Sequence, residues 1–234
     1  MADCKAKIDS FYHGSAVDGE GLRSVLFFSG CNLRCPFCHN PETLYGSGKE
    51  ISLDEAVATV KRYVPYMKKG GLTLSGGEPF LQAEFCAFLA DEMHKLGITV
   101  IAETNGMTVK ESLIRKLDGV RLDIKNQRGE NGEQLIARYT LFLKACEKHG
   151  VDVLLTNVLI PDVNDFEESV VALAKLKEKF DFCRGVEFLP FMKLCEEKYR
   201  GMGLEFPYVT MREATRGDIE KAKSYFSNKL KSLH

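Results

Sequence analysis

Cys31-Asn32-Leu33-Arg34-Cys35-Pro36-Phe37-Cys38-His39-Asn40 sets three thiols at a C-x3-C-x2-C spacing, directly after the apolar run Val25-Leu26-Phe27-Phe28. The turns between the cysteines point successive sulfurs the same way, so the spacing can gather three thiolates around one face of a metal or iron–sulfur centre. Three is one short of the four protein ligands that a structural zinc or an electron-carrying cubane takes, and one metal position stays open to a substrate. Pro36 lies within the stretch and Pro41 biases Asn40 away from helical geometry, which places the cysteines on irregular backbone.

Other chemistries use parts of the same stretch. Cys35-Pro36-Phe37-Cys38-His39 fits the pattern of covalent haem attachment, but that leaves Cys31 idle. Cys35 and Cys38 also have the spacing of a redox dithiol, whose thiolate is normally stabilised at a helix N-terminus that the prolines disfavour. Zinc on Cys31, Cys35, Cys38 and a fourth residue stays open, although the neighbours Cys38 and His39 would struggle to reach one tetrahedral ion together. A [4Fe-4S] cluster with one free iron accounts for all three thiols and for the missing fourth; it is the preferred reading, with zinc second.

Outward from the cysteines, short apolar runs alternate with helical periodicity. Strands are expected at 22–29, 72–74, 98–102, 120–125, 151–160 and 185–189. Ser52 and Glu55 form a capping box ahead of Leu53, Ala56, Val57, Val60, Val64 and Met67, which recur on one helical face. A second helix carries Leu81, Phe85, Phe88, Leu89 and Met93 and stops at Gly97. Further helices are expected near 110–117, on Leu135, Tyr139, Phe142 and Cys146, on Phe166, Val170, Leu173 and Phe180, and terminally on Ile219, Ala222, Phe226, Leu230 and Leu233. Residues 8–21 read as a Gly- and Asp-rich loop. Six strands alternating with helices imply a parallel sheet with right-handed crossovers, in either an open, incomplete barrel or a doubly wound sheet.

In both architectures chemistry gathers at the carboxyl ends of the strands, and there the polar stretches fall. Ser75-Gly76-Gly77-Glu78-Pro79 lets backbone groups approach a ligand, and Glu78 could accept a bond from a ligand ammonium; a tight strand-to-helix turn explains the same residues. Asp123 and Lys125 are two apart on a strand and share a face, as a ligand-binding pair or a structural ion pair. Glu103 and Thr104 offer oxygens to a ligand amine or a small cation, with turn chemistry around Asn105-Gly106 the alternative.

The 234 residues, 44% of them hydrophobic, suffice for one domain, and 32 basic against 33 acidic residues give no electrostatic case for nucleic acid or an anionic membrane. No apolar stretch approaches a membrane span or a signal-peptide core, so a cytoplasmic setting with reduced thiols is expected. The scattered Cys4, Cys86, Cys146, Cys183 and Cys195 then read as small core residues.

Taken together, these motifs resemble the radical S-adenosylmethionine (SAM) superfamily and, within it, the glycyl-radical-enzyme activating family of the pyruvate formate-lyase type. The likeness runs through Val17-Asp18-Gly19-Glu20-Gly21, Phe27-Phe28-Ser29-Gly30-Cys31, Cys38-His39-Asn40-Pro41-Glu42-Thr43, Ser75-Gly76-Gly77-Glu78, Leu81-Gln82-Ala83-Glu84-Phe85, Thr104-Asn105-Gly106, Leu122-Asp123-Ile124-Lys125 and Leu189-Pro190-Phe191. The resemblance implies an incomplete (β/α)6 barrel of parallel strands with a C-terminal helix. A single domain would span 1–234, divided into an N-terminal loop (1–21), a barrel core (22–190) and a C-terminal extension and helix (191–234). It implies an oxidoreductase in which Cys31, Cys35 and Cys38 hold a [4Fe-4S] cluster whose open iron chelates SAM. One electron then yields methionine and a 5′-deoxyadenosyl radical, which takes hydrogen from a glycine Cα of a partner enzyme under anaerobic conditions.

The same resemblance implies roles by position. Phe37 and His39 border the adenine; Gly76, Gly77 and Glu78 meet the methionyl group; Asp123 and Lys125 help hold the cofactor, with Glu103 and Met192 beside it. Asp18 lies near the incoming glycine loop. A monovalent cation beside the methionyl group, a flavodoxin or ferredoxin donor, a pyruvate formate-lyase-like partner and a monomeric state complete the expectation. Met192, Cys195, Glu20, Glu103 and Thr156 depart from the family pattern, and the chain lacks the extra cysteine-rich insert of many related activases. A radical enzyme acting on a small molecule and a zinc-stabilised binding module are the competing readings.

Overall fold

The computed structural model, which describes residues 4–67, 69–125 and 132–233, is built on one sheet of eight strands. In chain order these are β1 (Lys5–Ser15), β2 (Arg23–Phe28), β3 (Lys49–Ser52), β4 (Gly71–Gly76), β5 (Thr99–Thr104), β6 (Gly119–Asp123), β7 (Asp152–Leu159) and β8 (Gly185–Pro190). Their spatial order is β3-β1-β2-β4-β5-β6-β7-β8. From β2 onward every neighbouring pair is parallel, whereas β1 is antiparallel to both β2 and β3. The six expected strands therefore form the parallel row of an open, incomplete barrel, in which no pairing joins β8 back to β3 among the described residues.

Two strands escaped the sequence. β1 lies inside the stretch read as an N-terminal loop, and the reason is its two register irregularities, between Ile8 and Ser10 and between His13 and Ser15, which break the alternation that marks a strand. β3 has four residues, too few to show a period, and runs directly into the following helix cap.

Among the described residues seven α-helices accompany the sheet: α1 (Leu53–Lys61), α2 (Ala83–Lys95), α3 (Glu111–Ile114), α4 (Gly132–Lys148), α5 (Glu167–Lys179), α6 (Glu196–Gly201) and α7 (Arg216–Leu233). The capping box is present: the Glu55 amide donates to the Ser52 hydroxyl and the Ser52 amide donates to the Glu55 carboxylate. α1 is shorter than its periodicity suggests, because Pro65 falls in a separate 3-10 turn at Val64–Tyr66. Gly97 and Gly150 both end a helix at φ near +70°, at 71° and 64°. In each case the next residue donates back to the carbonyl five earlier, Ile98 to Met93 and Val151 to Cys146. Two residues assigned to apolar faces lie outside them: Leu81 precedes α2 and is 48% exposed, and Phe166 caps α5 at 41%. The side chain of Leu233 lies outside the described residues.

Along the parallel strands the residues alternate between two environments. Leu72, Leu74, Val100, Ala102, Val120, Leu122, Val153 and Leu155 are buried in the main core that the helices cover. The intervening positions, Thr73, Ser75, Ile101, Glu103, Arg121, Asp123, Leu154 and Thr156, point to the other face, the barrel lumen. A satellite core of Ile160, Phe191, Cys195, Tyr199 and Phe206 sits under the C-terminal segment, with Phe37 packed against it. All eight cysteines are free thiols; Cys86, Cys146, Cys183 and Cys195 are buried. No helix among the described residues is long and apolar enough to cross a membrane.

Candidate functional site

β2, β4, β5, β6 and β7 all point their carboxyl ends at one cavity. Its walls bring together Cys31, Cys35, Phe37, Cys38 and His39 from the loop after β2, Gly76 and Gly77 after β4, and Glu103 with Thr104 and Asn105 at the end of β5. Asp123 at the end of β6 and Lys125 just after it complete it.

The cysteine loop hangs from a well-tied root. Gly30 donates to the Thr43 carbonyl at 2.6 Å and Cys31 donates to the Leu44 carbonyl at 3.2 Å. Beyond that root the loop combines short-range bonds, such as the Cys38 amide to the Cys35 carbonyl and the Leu33 amide to Cys31 Sγ at 3.4 Å, with side-chain ties to distant residues, such as Asn105 Nδ2 to Asn32 Oδ1 at 2.8 Å. The three sulfurs share a wall, but no three His, Cys, Asp or Glu side chains among the described residues are grouped as a metal-binding set. Burial raises all three thiols above their ordinary range, Cys38 to about 11. A metal that binds such thiols displaces their protons, so loading of the site would release protons.

Opposite, the glycine turn is rigid. Gly77 donates to the Phe28 carbonyl and Glu78 to the Gly30 carbonyl, each at 2.8 Å. A Cβ on Gly77 would stand 2.2 Å from the Gly30 oxygen, and one on Gly76, at φ 101°, 2.4 Å from the Phe28 nitrogen. Only glycine lets the strand ends approach this closely. Glu78 departs from its expected role. Its side chain is 1% exposed and turns away from the cavity, accepting from Thr104 Oγ1 at 2.7 Å, the Asn105 amide at 2.9 Å and the Phe80 amide at 3.1 Å. It braces the β4 and β5 ends to one another.

β6 ends at Asp123, two residues short of the expected strand, and just past it Lys125 pairs its Nζ with Asp123 Oδ2, 5.2 Å from the centre of the Phe37 ring, while the Lys125 amide donates to Tyr139 Oη at 2.7 Å. Burial alone pulls the Lys125 ammonium down, but Asp123 and Cys35 outweigh it and hold the group above its ordinary range. Asp123 Oδ1 is buried with no hydrogen-bond partner among the described residues. A buried acceptor left unpaired costs on the order of 1–3 kcal/mol, which a ligand donor would recover.

Two expected residues stand apart. Met192 offers its backbone: its carbonyl is 2.8 Å from His39 Nε2, and its side chain is not on the cavity wall. Asp18 lies on the β1–β2 connection, at the amino ends of the parallel strands, where its carbonyl accepts from Thr73 Oγ1 at 2.7 Å. Its neighbours Gly19 and Glu20 line a second, lower cavity together with Arg23, Ile101, Arg121 and Leu154. Two contributors were missed. Lys198 of α6 ties the cysteine loop down through Asn40 Oδ1 at 2.8 Å and Glu42, and a six-residue helix leaves little periodic signal. Arg121 pairs with Glu103; its place two residues before Asp123, on the same strand face, is the signal that could have found it.

A three-thiol wall, a glycine cradle and an unpaired carboxylate oxygen in one cavity are suited to an iron–sulfur cluster and a small polar cofactor docked beside it. The known proteins that this chain resembles agree with that chemistry. A family model described as a 4Fe-4S single cluster domain matches residues 17–125. The pyruvate formate-lyase-activating enzyme of Clostridium pasteurianum is 34% identical over 226 residues, covering 93% of this chain and 94% of that protein. The pyruvate formate-lyase 1-activating enzyme of Escherichia coli K12 is 31% identical over 230 residues, covering 93% of each. Among solved structures, Streptococcus suis SuiB bound to precursor peptide SuiA superposes with a TM-score of 0.64 at 15% identity, over 89% of this chain and 46% of that one, a likeness of fold.

Proposed function

Because the chain belongs to the pyruvate formate-lyase-activating enzyme family of the radical SAM superfamily, we propose that the protein it activates is a pyruvate formate-lyase-like glycyl radical enzyme. It is an enzyme, a glycyl-radical-enzyme activase whose chemistry uses an iron–sulfur cluster and SAM. One observation carries the reading of its site: the three thiols, the Gly76-Gly77 backbone and the Asp123–Lys125 pair face one cavity at the strand ends.

In this reading Cys31, Cys35 and Cys38 are the ligands of a [4Fe-4S] cluster with one open iron, which fits three soft donors within eight residues on one wall. A cluster held by these thiols would supply one-electron reduction of SAM, the chemistry needed to take hydrogen from a glycine Cα of the partner. The chain's own residues bind, orient and shield. Gly76 and Gly77 let the methionyl group approach the backbone, and Glu78 keeps that backbone in place from beneath. Asp123 Oδ1 accepts from a cofactor hydroxyl or amine, with Lys125 holding the opposite oxygen. Phe37 and His39 border the adenine, His39 steadied by the Met192 carbonyl. Glu103 stands below them, and the Asp18 loop borders the lower cavity, the side from which a glycine-bearing segment enters. A flavodoxin or ferredoxin supplies the electron, and the enzyme works as a monomeric, single-domain cytoplasmic protein.

The test is electron paramagnetic resonance of the anaerobically reconstituted, reduced protein mixed with SAM and a pyruvate formate-lyase-like enzyme. A glycyl-radical signal on the partner is the expected result. An intact cluster that cleaves no SAM overturns the reading of the site, and turnover of a small metabolite without a protein partner overturns the choice of substrate.

A further inference from the structure

Glu103 and Thr104, the residues beside which a small cation is expected, both already have hydrogen-bond partners. Glu103 accepts from Ser75 Oγ on Oε2 at 2.8 Å and from Arg121 Nε on Oε1 at 3.0 Å. The Thr104 hydroxyl donates to Glu78 and accepts from the Gly106 amide at 3.1 Å. A positive charge, that of Arg121, already stands against Glu103. Arg121 is held from its other side as well, Nη2 donating to Glu187 Oε2 on β8 at 3.0 Å, and its side chain is 15% exposed. It rises from the lower cavity, which it lines, to a carboxylate that lines the upper one. An arginine's planar fork can meet two carboxylates at once.

We propose that the Arg121 guanidinium is the resident counter-cation of Glu103, occupying the position where a monovalent metal ion would neutralise that carboxylate, so that the cofactor site works without such an ion. A second positive ion at Glu103 would meet the guanidinium charge within a few ångströms in a partly buried lumen, where like charges repel far more than in water. Burial pushes the Glu103 carboxyl above its ordinary range, with Asp18 and Asp123 adding to the push and Ser75 and Arg121 opposing it. Arg121 is thus a positioning residue: it touches neither cluster nor SAM in this reading, and it sets the charge and aim of the carboxylate beneath them. Only the last consequence, for SAM affinity, rests on the function proposed above.

The experiment compares wild type, Arg121→Gln and Arg121→Lys in potassium chloride and in tetramethylammonium chloride at equal ionic strength. In the cluster-free protein, wild type and Arg121→Lys melt at the same temperature in both salts, whereas Arg121→Gln melts lower and recovers in potassium alone. In reconstituted protein, SAM affinity measured by equilibrium dialysis is the same in both salts for wild type. For Arg121→Gln it weakens about tenfold in tetramethylammonium, equivalent to ~1.4 kcal/mol, and potassium restores it. A wild-type protein whose melting or SAM affinity responds to potassium overturns the proposal, whether or not the glutamine variant folds. A folded Arg121→Gln protein indifferent to potassium overturns it equally. Absence of SAM binding by wild type in both salts would instead remove the SAM site, and the cluster-free melting comparison would still decide the role of Arg121.

Discussion

The cysteine loop and the glycine turn face each other across one cavity, yet they are stabilised in opposite ways. The turn is finished by the fold: Gly77 and Glu78 are bonded to the end of β2, and the Glu78 carboxylate, buried, accepts three hydrogen bonds. The loop is tied at its root and by side-chain bonds to Lys198, Asn105 and the Met192 carbonyl, while its three thiols are partly exposed and no group of three metal-binding side chains occurs among the described residues. One wall is built by the protein, and the other is completed by what it binds. Stability and cofactor loading should therefore separate cleanly between them.

The largest separation is expected at the cysteines. Cys35→Ala should reduce the iron content and visible absorption of anaerobically reconstituted protein to background and abolish SAM cleavage. Its cluster-free unfolding free energy should stay within ~0.5 kcal/mol of the parent. Cys86→Ala, which alters a buried core thiol behind the turn, should keep both cluster and cleavage. Equal loss of cluster from the two changes would erase the distinction between ligand and core cysteines.

Glu78→Ala tests the opposite wall. Two amides and a hydroxyl lose their acceptor in a dry site, so urea unfolding of the cluster-free protein should show a loss of about 3 kcal/mol. A loss below about 1 kcal/mol would mean that the turn is no better built than the loop. Gly77→Ala should cost less, about 1–3 kcal/mol, because strand ends can shift a little around a methyl placed 2.2 Å from the Gly30 oxygen. The same unfolding curves measure it, and an unchanged midpoint would show that the close approach is not needed.

The smallest effect is one of pH. Burial holds the Glu78 carboxyl above its ordinary value of 4.5, against the pull of Asn105, Thr104 and Phe80. A carboxyl whose folded value is raised contributes stability that is full below the unfolded value and is lost as pH rises through the folded one. The stability gap between wild type and Glu78→Gln, which cannot ionise, should favour wild type most near pH 4.5 and shrink toward neutrality. A gap that grows toward neutral pH would reverse the sign and make the buried carboxylate, not the carboxyl, the preferred state.

Much of this architecture is legible because it is local. The C-x3-C-x2-C spacing, the Ser52–Glu55 cap, the glycines that stop α2 and α4 and the six parallel strands all depend on neighbours within a few turns of chain. β1 is not legible, because its bulges destroy the period by which a strand is read. Nor is the orientation of Glu78: the motif puts it beside the cavity, and the bonds that turn it inward come from residues 26 and 27 positions away.

The sequence by itself determined that three thiols share one loop, that parallel strands deliver polar residues to a common end, and that Asp123 and Lys125 lie on one face. Tertiary structure alone decided which charges meet. Arg121 binds Glu103 across 18 residues of sequence and Glu187 across 66, through the registers of β5, β6, β7 and β8. Periodicity says which face of a strand a side chain takes, but only the pairing register says what stands beside it, and electrostatic interactions fall off too quickly with distance for the first to imply the second.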